Sequence, residues 1–237
     1  MSLATGLGSG GDAQGDTLAN IESLTGSAFN DTLEGNSGIN VLAGGAGTDM
    51  LQGLGGADTL DGGAGADTAS YAASAAGVNV SLATGLGSDG DAQGDTLANI
   101  ENLTGSALGD VLTGSSGANV LSGGGGADNL TGGGGSDKFL FTDATDSTPS
   151  ARDVITDFMQ GVDIIDLSGV DANTSKAKDQ AFAFGGQNSN VVANSVTWFE
   201  SGGNTIVQAD VNGNTTADLT IVLTGINHNL SASDFIL

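Results

Sequence analysis

The chain has 237 residues, among them 42 Gly, one Pro and no Cys, and its 28 acidic and four basic side chains give a formal net charge of −24. The missing Cys excludes disulfides and thiolate metal sites, and the near absence of Pro excludes collagen. The charge argues against nucleic acid and anionic membranes as partners. No apolar stretch is as long as a membrane-spanning helix, and the first residues lack the pattern of a cleaved signal peptide.

The basic residues are confined to the later part of the chain, at Lys138, Arg152, Lys176 and Lys178. The acids that precede them have no cationic side chain nearby in sequence, so divalent cations are their natural counterions. A disordered, self-repelling acidic chain is the alternative interpretation. The regular placement of the apolar residues argues against it.

A long internal repeat organises the first part of the chain. Residues 2–27 recur at 81–106, an offset of 79, and a looser match continues to Asp58 and Asp137. We call residues 2–58 the first block and residues 81–137 the second block. A strand-like segment, 77–80, precedes the second block, whereas only Met1 stands at the corresponding place in the first. This difference favours the hypothesis that the sequence was cut from a longer chain.

Each block contains a shorter repeat of nine residues with the consensus G-G-x-G-x-D-x-L. One apolar residue recurs in every repeat, at Leu24, Leu33, Leu42, Leu51, Leu60 and Ala69, then at Leu103, Leu112, Leu121, Leu130 and Phe139. A carboxylate or Asn stands two residues earlier, at Glu22, Asp31, Asn40, Asp49, Asp58 and Asp67, then at Glu101, Asp110, Asn119, Asp128 and Asp137.

This spacing predicts an all-β fold, a parallel β-roll in which three-residue strands alternate with glycine turns and two repeats make one coil. Stacked turns would place Asp side chains and backbone carbonyls on each edge, a set of hard oxygen ligands that suits Ca²⁺. The nonapeptide resembles the calcium-binding repeat of RTX proteins. The predicted metal ligands are Asp31, Asn40, Gly44, Ala46, Asp49, Gly53, Gly55, Asp58, Gly62, Gly63, Gly65, Asp67, Asp110, Asn119, Gly123, Gly125, Asp128, Gly132, Gly133, Gly135 and Asp137.

A coil of two repeats predicts which ligands face each other. The full-charge pairs are Asp31 with Asp49, Asp49 with Asp67, and Asp110 with Asp128. Weaker sites are expected where Asn40 faces Asp58 and Asn119 faces Asp137. Glu22 and Glu101 lack preceding glycines and are predicted to cap the stack. The alternative is that the Asp-Gly steps are ordinary turns without ions, although a column of carboxylates without counterions would repel itself.

The stretch between the two nonapeptide runs is predicted to form wider coils of the same roll. A strand is expected at 78–82, followed by a Gly/Asp loop at 85–95. Further ions are possible in this loop and in its first copy, although solvated loop acids are common. The acids concerned are Asp89, Asp91 and Asp95, and in the first copy Asp12 and Asp16.

The composition changes after Phe141, where Gly becomes rarer and aromatic residues more frequent. Strands are predicted at 153–158, 163–167, 195–200, 204–210 and 218–224, which suggests either a β-sandwich or a continued roll that caps the solenoid. The predicted domains are therefore a duplicated roll at 1–140, with nonapeptide runs at about 17–70 and 96–140 and wider coils at 71–95, and a C-terminal cap at 141–237.

The chain from about Glu22 to Leu237 resembles the C-terminal domain of serralysin-type metalloproteases. The resemblance rests on the runs Asp137–Phe139, Asp153–Ser168, Asp210–Asn214 and Ser233–Leu237. It implies that the repeats bind Ca²⁺, that the protein is secreted and extracellular, and that its uncleaved C-terminus directs export by type I secretion machinery.

No catalytic constellation is recognisable in the sequence. The motifs H-E-x-x-H and G-x-S-x-G are absent. His228 is interpreted as a solvated turn residue, and the loop after Asp210 as a hairpin with a weak likeness to a calcium loop. Two functions remain: a calcium-dependent module for folding and export, with a matrix or polysaccharide partner left open, or the C-terminal part of a secreted protease, lipase or alginate epimerase. An ice-binding or polysaccharide-binding face is disfavoured, because the repeat columns are Gly and Asp.

Overall fold

The computed structural model describes residues 1–237, which form short β-strands and three 3₁₀ turns, at Gly11–Ala13, Gly90–Ala92 and Ala232–Asp234. The strands of the repeat region are β1 Ser23–Thr25, β2 Thr32–Glu34, β3 Val41–Gly47, β4 Met50–Gln52, β5 Thr59–Gly65, β6 Thr68–Ser70, β7 Asn79–Ser81, β8 Leu86–Ser88, β9 Thr96–Ala98, β10 Asn102–Thr104, β11 Val111–Thr113, β12 Val120–Ser122, β13 Asn129–Thr131 and β14 Lys138–Leu140. Those of the C-terminal part are β15 Asp153–Ile155, β16 Ile164–Asp166, β17 Ala183–Gln187, β18 Ser195–Ser201, β19 Asn204–Ala209, β20 Leu219–Thr224 and β21 Phe235–Ile236.

Two sheets face each other across one apolar core. The small sheet has eight strands in the order β2-β4-β6-β10-β12-β14-β16-β21, and the large sheet has 13 in the order β1-β3-β5-β9-β8-β7-β11-β13-β15-β20-β19-β18-β17. Strands of neighbouring nonapeptide coils pair in parallel, with Leu33 opposite Leu51 and Leu42 opposite Leu60. The predicted parallel β-roll is therefore confirmed. No helix in it is long and apolar enough to cross a membrane.

The apolar column predicted from the repeat fills the core. The middle residue of each three-residue strand in the nonapeptide repeats points inward, and Leu33, Leu51 and Leu121 are fully buried. Fully burying one Leu stabilises a fold by roughly 1.5–3 kcal/mol. Glycine turns oppose this gain, since each Gly costs about 0.5–1 kcal/mol more conformational entropy than Ala. The stability of the roll therefore also depends on the interactions that are made within the turns.

The turns need glycine because successive coils stack at backbone contact distance. Gly65 has φ +152°, and a Cβ on it would lie far closer than 3.0 Å to the carbonyl oxygen of Gly47 in the preceding coil. Gly63 and Gly45 repeat the arrangement, with φ +94° at Gly63. Both the left-handed backbone and the close approach exclude a side chain.

The stretch between the blocks adds two strands to the large sheet alone. There β7 and β8 form an antiparallel hairpin that lies between β9 and β11, while β6 pairs directly with β10 in the small sheet. The same hairpin in the first block lies against the small sheet, because Ser2 pairs with Glu34 of β2. The repeated sequence thus occupies opposite faces of the roll in the two blocks.

Both sheets continue beyond the last nonapeptide. β15 pairs in parallel with β13, and β16 with β14, so the roll gains one further coil. The large sheet then changes direction: β18, β19 and β20 form an antiparallel meander, and β20 also pairs in parallel with β15. Of the two alternatives left open by the sequence, the structure combines a continued roll with a sandwich-like cap.

Candidate metal centre

Carboxylate and Asn side chains form a column at each edge of the roll, which we call the carboxylate ladder. In most steps the inner oxygen of one side chain accepts a hydrogen bond from the backbone N–H of the ladder residue one coil earlier, as Asp49 Oδ1 does from Asp31 N at 2.8 Å. At the small-sheet edge the ladder consists of Asp31, Asp49, Asp67, Glu101, Asn119, Asp137 and Asp163. At the large-sheet edge it consists of Asn40, Asp58, Asp95, Asp110, Asp128 and Asp153.

The outer oxygens of many ladder carboxylates have no partner in the protein. These buried atoms are the Oδ2 atoms of Asp49, Asp58, Asp67, Asp128 and Asp153. A buried acceptor left without a hydrogen bond costs about 1–3 kcal/mol, and more when it carries charge. Five such atoms in one small protein indicate that a ligand belongs beside them.

Backbone carbonyls surround the same points. A Cβ on Gly44 would lie 2.6 Å from the carbonyl oxygen of Gly62 and still closer to Asp49 Oδ2. At Gly62 the corresponding neighbours are Asp67 Oδ2, at 2.6 Å, and the carbonyl oxygen of Asn99. At these two turns a side-chain oxygen and a carbonyl of a neighbouring coil therefore converge on the first glycine.

The residue after that glycine divides the turns into two classes. In the open turns it has positive φ and leaves the carboxylate free, as at Gly45, Leu54, Gly63, Gly124 and Gly133. In the closed turns its backbone N–H donates to the ladder side chain at 2.6–2.7 Å, from Ser27 to Asp31, Asn36 to Asn40, Ser106 to Asp110 and Ser115 to Asn119. Closed turns satisfy their own ladder residue, whereas open turns do not.

The donor set fits Ca²⁺ and not a metal that is held by side chains alone. No three His, Cys, Asp or Glu side chains come together as a metal cluster. A site between stacked turns would combine at most two carboxylates with backbone carbonyls, and Ca²⁺ accepts six to eight such oxygens in flexible geometry. The only ion pair, Lys138 with Asp166 at 3.0 Å, involves an Asp outside the ladder.

Burial raises the pKa of several ladder carboxyls. Desolvation is the main cause at Asp58, Asp128 and Asp153, whose pKa values rise to about 6, about 7 and about 8. Neighbouring carboxylates add to the increase, Asp95 at Asp58 and Asp110 at Asp128. In the absence of a cation, these carboxyls therefore take up protons at a higher pH than an ordinary Asp, and Asp153 favours the protonated acid at neutral pH.

We expect the metal-free protein to become more stable as the pH falls from 8 to 5. Because the folded pKa values lie above the usual 3.8, the folded state holds protons that the unfolded state has released. The resulting stability is complete below the unfolded pKa and disappears as the pH rises through the folded values. Far-UV circular dichroism of metal-stripped protein between pH 8 and pH 5 measures this dependence as a gain of β structure at the lower pH.

The variant Asp128→Asn distinguishes this effect from general relief of charge repulsion. It removes one raised pKa but leaves the charge of the rest of the chain almost unchanged, so the slope of stability against pH should become smaller. A slope that is unchanged in Asp128→Asn, or stability that increases with pH, would contradict the assignment.

The structure brings the predicted ligand pairs together. Asp31 with Asp49, Asp49 with Asp67, Asp110 with Asp128, Asn40 with Asp58 and Asn119 with Asp137 are all neighbours in the ladder. The turn residues Gly44, Gly53, Gly62, Gly123 and Gly132 each face the carboxylate of their own turn. Among the other turn residues predicted as metal ligands, Gly63, Gly65, Gly133 and Gly135 have positive φ, whereas Ala46, Gly55 and Gly125 do not.

Three ladder residues were missed among the predicted ligands: Asp95, Asp153 and Asp163. Each stands two residues before a buried apolar residue, Leu97, Ile155 or Ile165, and this is the same D-x-L signal as in the nonapeptides. The prediction for Glu101 was wrong, because Glu101 lies inside the stack, where its Oε2 accepts from Asp67 N at 2.9 Å. Glu22 lies in the first coil with its side chain exposed, and contacts Asn40 through its carbonyl.

The acids of the second-block loop do not converge. Asp95 Oδ2 accepts a hydrogen bond from the hydroxyl of buried Tyr71 at 3.0 Å, so a protein group occupies the place that is free in the open turns. Asp89 is exposed, and the backbone N–H of Asp91 donates to Ser74 Oγ at 3.1 Å. One member of this predicted group therefore belongs to the ladder, and the other two do not.

Two sites near the C-terminus have structural roles. The side chain of Asp210 accepts hydrogen bonds from the N–H groups of Asn212, Gly213 and Thr215, which closes a hairpin between β19 and β20. The interpretation of His228 as a solvated turn residue holds in part, because its side chain is partly exposed. Its Nδ1 lies 2.7 Å from the hydroxyl of buried Thr205, which also contacts Glu200, and desolvation lowers the pKa of His228.

Comparison with known proteins places the chain in a family. Residues 21–237 match the model described as the Peptidase M10 serralysin C terminal. No curated protein sequence matches. Among solved structures, the AlgE6R3 subunit of the Azotobacter vinelandii mannuronan C5-epimerase has 21% identity and a TM-score of 0.34, covering 89% of this chain and 80% of its own.

The AlgE6R2 subunit of the same epimerase has 20% identity and a TM-score of 0.36, covering 92% of this chain and 94% of its own. The extracellular lipase LipA from Serratia marcescens has 17% identity and a TM-score of 0.33, covering 94% of this chain and 41% of its own. The family match extends from just before the first strand to the last residue. The chain therefore belongs to the serralysin C-terminal domain family.

Proposed function

We propose that the chain is a non-catalytic calcium-binding module that folds into its roll outside the cell, when Ca²⁺ fills the open turns. The observation that supports it is the set of buried, unpartnered Oδ2 atoms in the ladder. A buried carboxylate is costly unless a cation or hydrogen-bond donors compensate it. Bound Ca²⁺ supplies that compensation and joins one coil to the next.

The strongest proposed sites are the open turns that end at Asp49, Asp58, Asp67, Asp128 and Asp137, about five ions in total. Their first glycines leave space beside the carboxylate, and at Gly44 and Gly62 a carbonyl of the neighbouring coil also lies there. Asp31, Asn40, Asp110 and Asn119 are weaker ligands, because their oxygens already accept turn N–H groups. In each open turn a backbone N–H of the preceding coil holds the inner oxygen of the carboxylate. The outer oxygen is then available to bind the ion.

Calcium then decides whether the chain folds. Without it, charge repulsion and glycine entropy favour the unfolded state. Extracellular modules bind Ca²⁺ with a Kd of about 10⁻⁴–10⁻³ M, and at ten times Kd one site adds roughly 1.4 kcal/mol. About five sites would add about 7 kcal/mol, which is comparable with the stability of a whole domain.

A calcium titration followed by far-UV circular dichroism tests the proposal. Starting from chelator-stripped protein at neutral pH, we expect a cooperative transition from coil to β structure between about 0.1 and a few mM Ca²⁺. Mg²⁺ at the same concentrations should not produce it, since Mg²⁺ requires a compact octahedral site and dehydrates reluctantly. A β spectrum that is already complete in chelator would overturn the proposal.

The family supports a secreted, extracellular protein that is exported through type I secretion machinery. An unfolded chain can pass a narrow channel, and folding on the calcium-rich side would prevent its return. In this proposal residues 1–140 are the calcium-dependent roll and residues 141–237 are the cap that carries the export signal. The continuous sheets that join the two parts make them fold together.

The second candidate function is the C-terminal part of a secreted RTX enzyme, a protease, lipase or alginate epimerase. It is favoured by the family's description as a C-terminal region. The coding sequence upstream of Met1 distinguishes between the two candidate functions. A catalytic domain encoded in the same reading frame would establish the second candidate, and the calcium sites would then serve that enzyme's export.

A further inference from the structure

The buried carboxylate oxygens without a partner fall into two separate groups along the ladder. Three lie before residue 71, on Asp49, Asp58 and Asp67, and two lie after residue 119, on Asp128 and Asp153. None lies between these positions, although four ladder residues stand there. We call residues 71–119 the joint. The groups that compensate its ladder residues decide whether this part of the roll needs calcium.

A tyrosine hydroxyl takes the place of an ion at the start of the joint. Asp95 Oδ1 accepts a hydrogen bond from Asp58 N at 2.8 Å, and Asp95 Oδ2 accepts one from the hydroxyl of Tyr71 at 3.0 Å. Both side chains are buried. Burial raises the pKa of Asp95, and the two hydrogen bonds oppose that rise. Asp95 is therefore compensated by protein groups alone.

The other ladder residues of the joint also have partners other than an ion. Asp110 Oδ1 accepts from Val78 N at 2.7 Å, and Asp110 Oδ2 accepts from Ser106 N at 2.6 Å. At the small-sheet edge Asn119 carries no charge, and its amide donates to the carbonyl oxygen of Glu101 at 2.7 Å. The side chain of Glu101 is partly exposed, so water compensates the oxygen that Asp67 N does not hold.

The joint has apolar packing and strand pairing of its own. Tyr71, Val78 and Val80 are at most 2% exposed. Tyr71 N donates to Thr104 O at 2.8 Å, and Val78 O accepts from Val111 N at 2.9 Å. Burial of apolar surface and backbone pairing do not require a cation. The joint is therefore less dependent on calcium than the open turns on either side of it.

We propose that the joint folds at a lower calcium concentration than the open turns and divides them into two arrays that fill independently. This inference rests on the proposed function, since it concerns the order in which the same sites act. The first array is the open turns that end at Asp49, Asp58 and Asp67, and the second is those that end at Asp128 and Asp137.

The sheet topology explains why the arrays are independent. Strands β9 and β10 of the joint pair with β5 and β6 of the first array, whereas β11 and β12 pair with β13 and β14 of the second. Each coil of a solenoid contacts only its neighbours. A folded joint thus offers each array a strand edge on which to stack, and neither array needs the other to be filled.

Hydrogen–deuterium exchange of the full chain at increasing Ca²⁺, resolved by peptide mass spectrometry, tests the order of folding. Residues 71–119 should reach half of their protection at a calcium concentration about tenfold below that of residues 40–67 and 123–137. Equal midpoints in the three regions would overturn the inference. Full protection of both arrays in chelator would instead overturn the proposed function, and with it the arrays.

Tyr71→Phe tests the role of the hydroxyl. The ring and its packing remain, but Asp95 Oδ2 is left buried without a donor, so at low calcium the protection of the joint should fall by about fivefold or more. Ser116→Ala removes an exposed hydroxyl of the same joint and should leave the protection unchanged. Equal protection of the joint in Tyr71→Phe and the parent would reject the hydroxyl as the substitute for an ion.

Asp67→Asn tests the independence of the arrays. Loss of one ligand charge should raise the calcium midpoint of residues 40–67 by about threefold or more, whereas the midpoint of residues 123–137 should stay within about 1.5-fold of the parent value. Asp128→Asn should give the converse result. Shifts of the same size in both arrays would indicate a single cooperative ladder and would overturn the division.

Discussion

Replacing Gly65 with Ala should strongly destabilise the roll even at saturating Ca²⁺. Gly65 has φ +152°, and a Cβ there would overlap the carbonyl oxygen of Gly47, with which it is paired in register. The strained backbone alone costs about 1–3 kcal/mol, and the overlap forces two coils apart, so we expect a loss of more than about 3 kcal/mol. Urea unfolding in 10 mM Ca²⁺ (a concentration about tenfold above the expected Kd) measures it.

Gly55→Ala is the matched control. Gly55 occupies the third position of its turn, where the preceding turn carries Ala46, and its φ is not in the left-handed region. The nearest atom to a Cβ there is Asp91 Oδ1 at 3.9 Å. We expect a change within about 0.5 kcal/mol. If both variants lose the same stability, turn stacking does not limit folding and the role given to the positive-φ glycines is wrong.

The coil and its ligand pairs could be predicted because the repeat is strictly regular. A period of nine that carries one apolar residue and one acid fixes the strand, the turn and the stacking partner together. The prediction failed where the spacing of the ladder residues departs from the repeat. Asp95, Asp153 and Asp163 join the ladder after 37, 25 and 26 residues instead of 18. Only the D-x-L signal, without its period, could have identified them.

The division into open and closed turns has a local cause that the repeat pattern does not express. A Ser or Asn after the first glycine keeps its N–H directed at the ladder oxygen, whereas the positive φ of Gly45 or Gly63 turns that N–H away. Leu54 adopts the open form with φ +64° although it is not Gly, so composition alone would misplace its turn.

Contacts between distant segments explain the remaining differences. His228 meets Thr205 across 23 residues and Tyr71 meets Asp95 across 24. Neither pair shares a motif or a spacing with the repeats. The antiparallel meander that brings Thr205 to His228 is set by the C-terminal strands and their turns. A sequence without aligned relatives contains no local signal for such pairs, so they became visible only in the folded chain.

Asp49→Ala should raise the calcium midpoint of folding more than Asp58→Ala does. Asp49 lies between Asp31 and Asp67, so it serves two pairs in which both members are Asp. Asp58 lies between Asn40 and Asp95, and Asp95 already accepts the hydroxyl of Tyr71. Loss of both sites at Asp49 removes at most about 3 kcal/mol at ten times Kd, because Asp31 is the weaker ligand of one pair, and we expect a smaller loss at Asp58. Circular dichroism during calcium titration gives both midpoints.

Asp12→Ala controls for the removal of one negative charge, since Asp12 is exposed and lies outside the ladder. It should leave the midpoint unchanged or lower it slightly, through reduced repulsion. Equal midpoints for Asp49→Ala and Asp58→Ala would refute the pairing. A larger shift for Asp58→Ala would mean that the step from Asp58 to Asp95 holds an ion despite the Tyr71 hydroxyl.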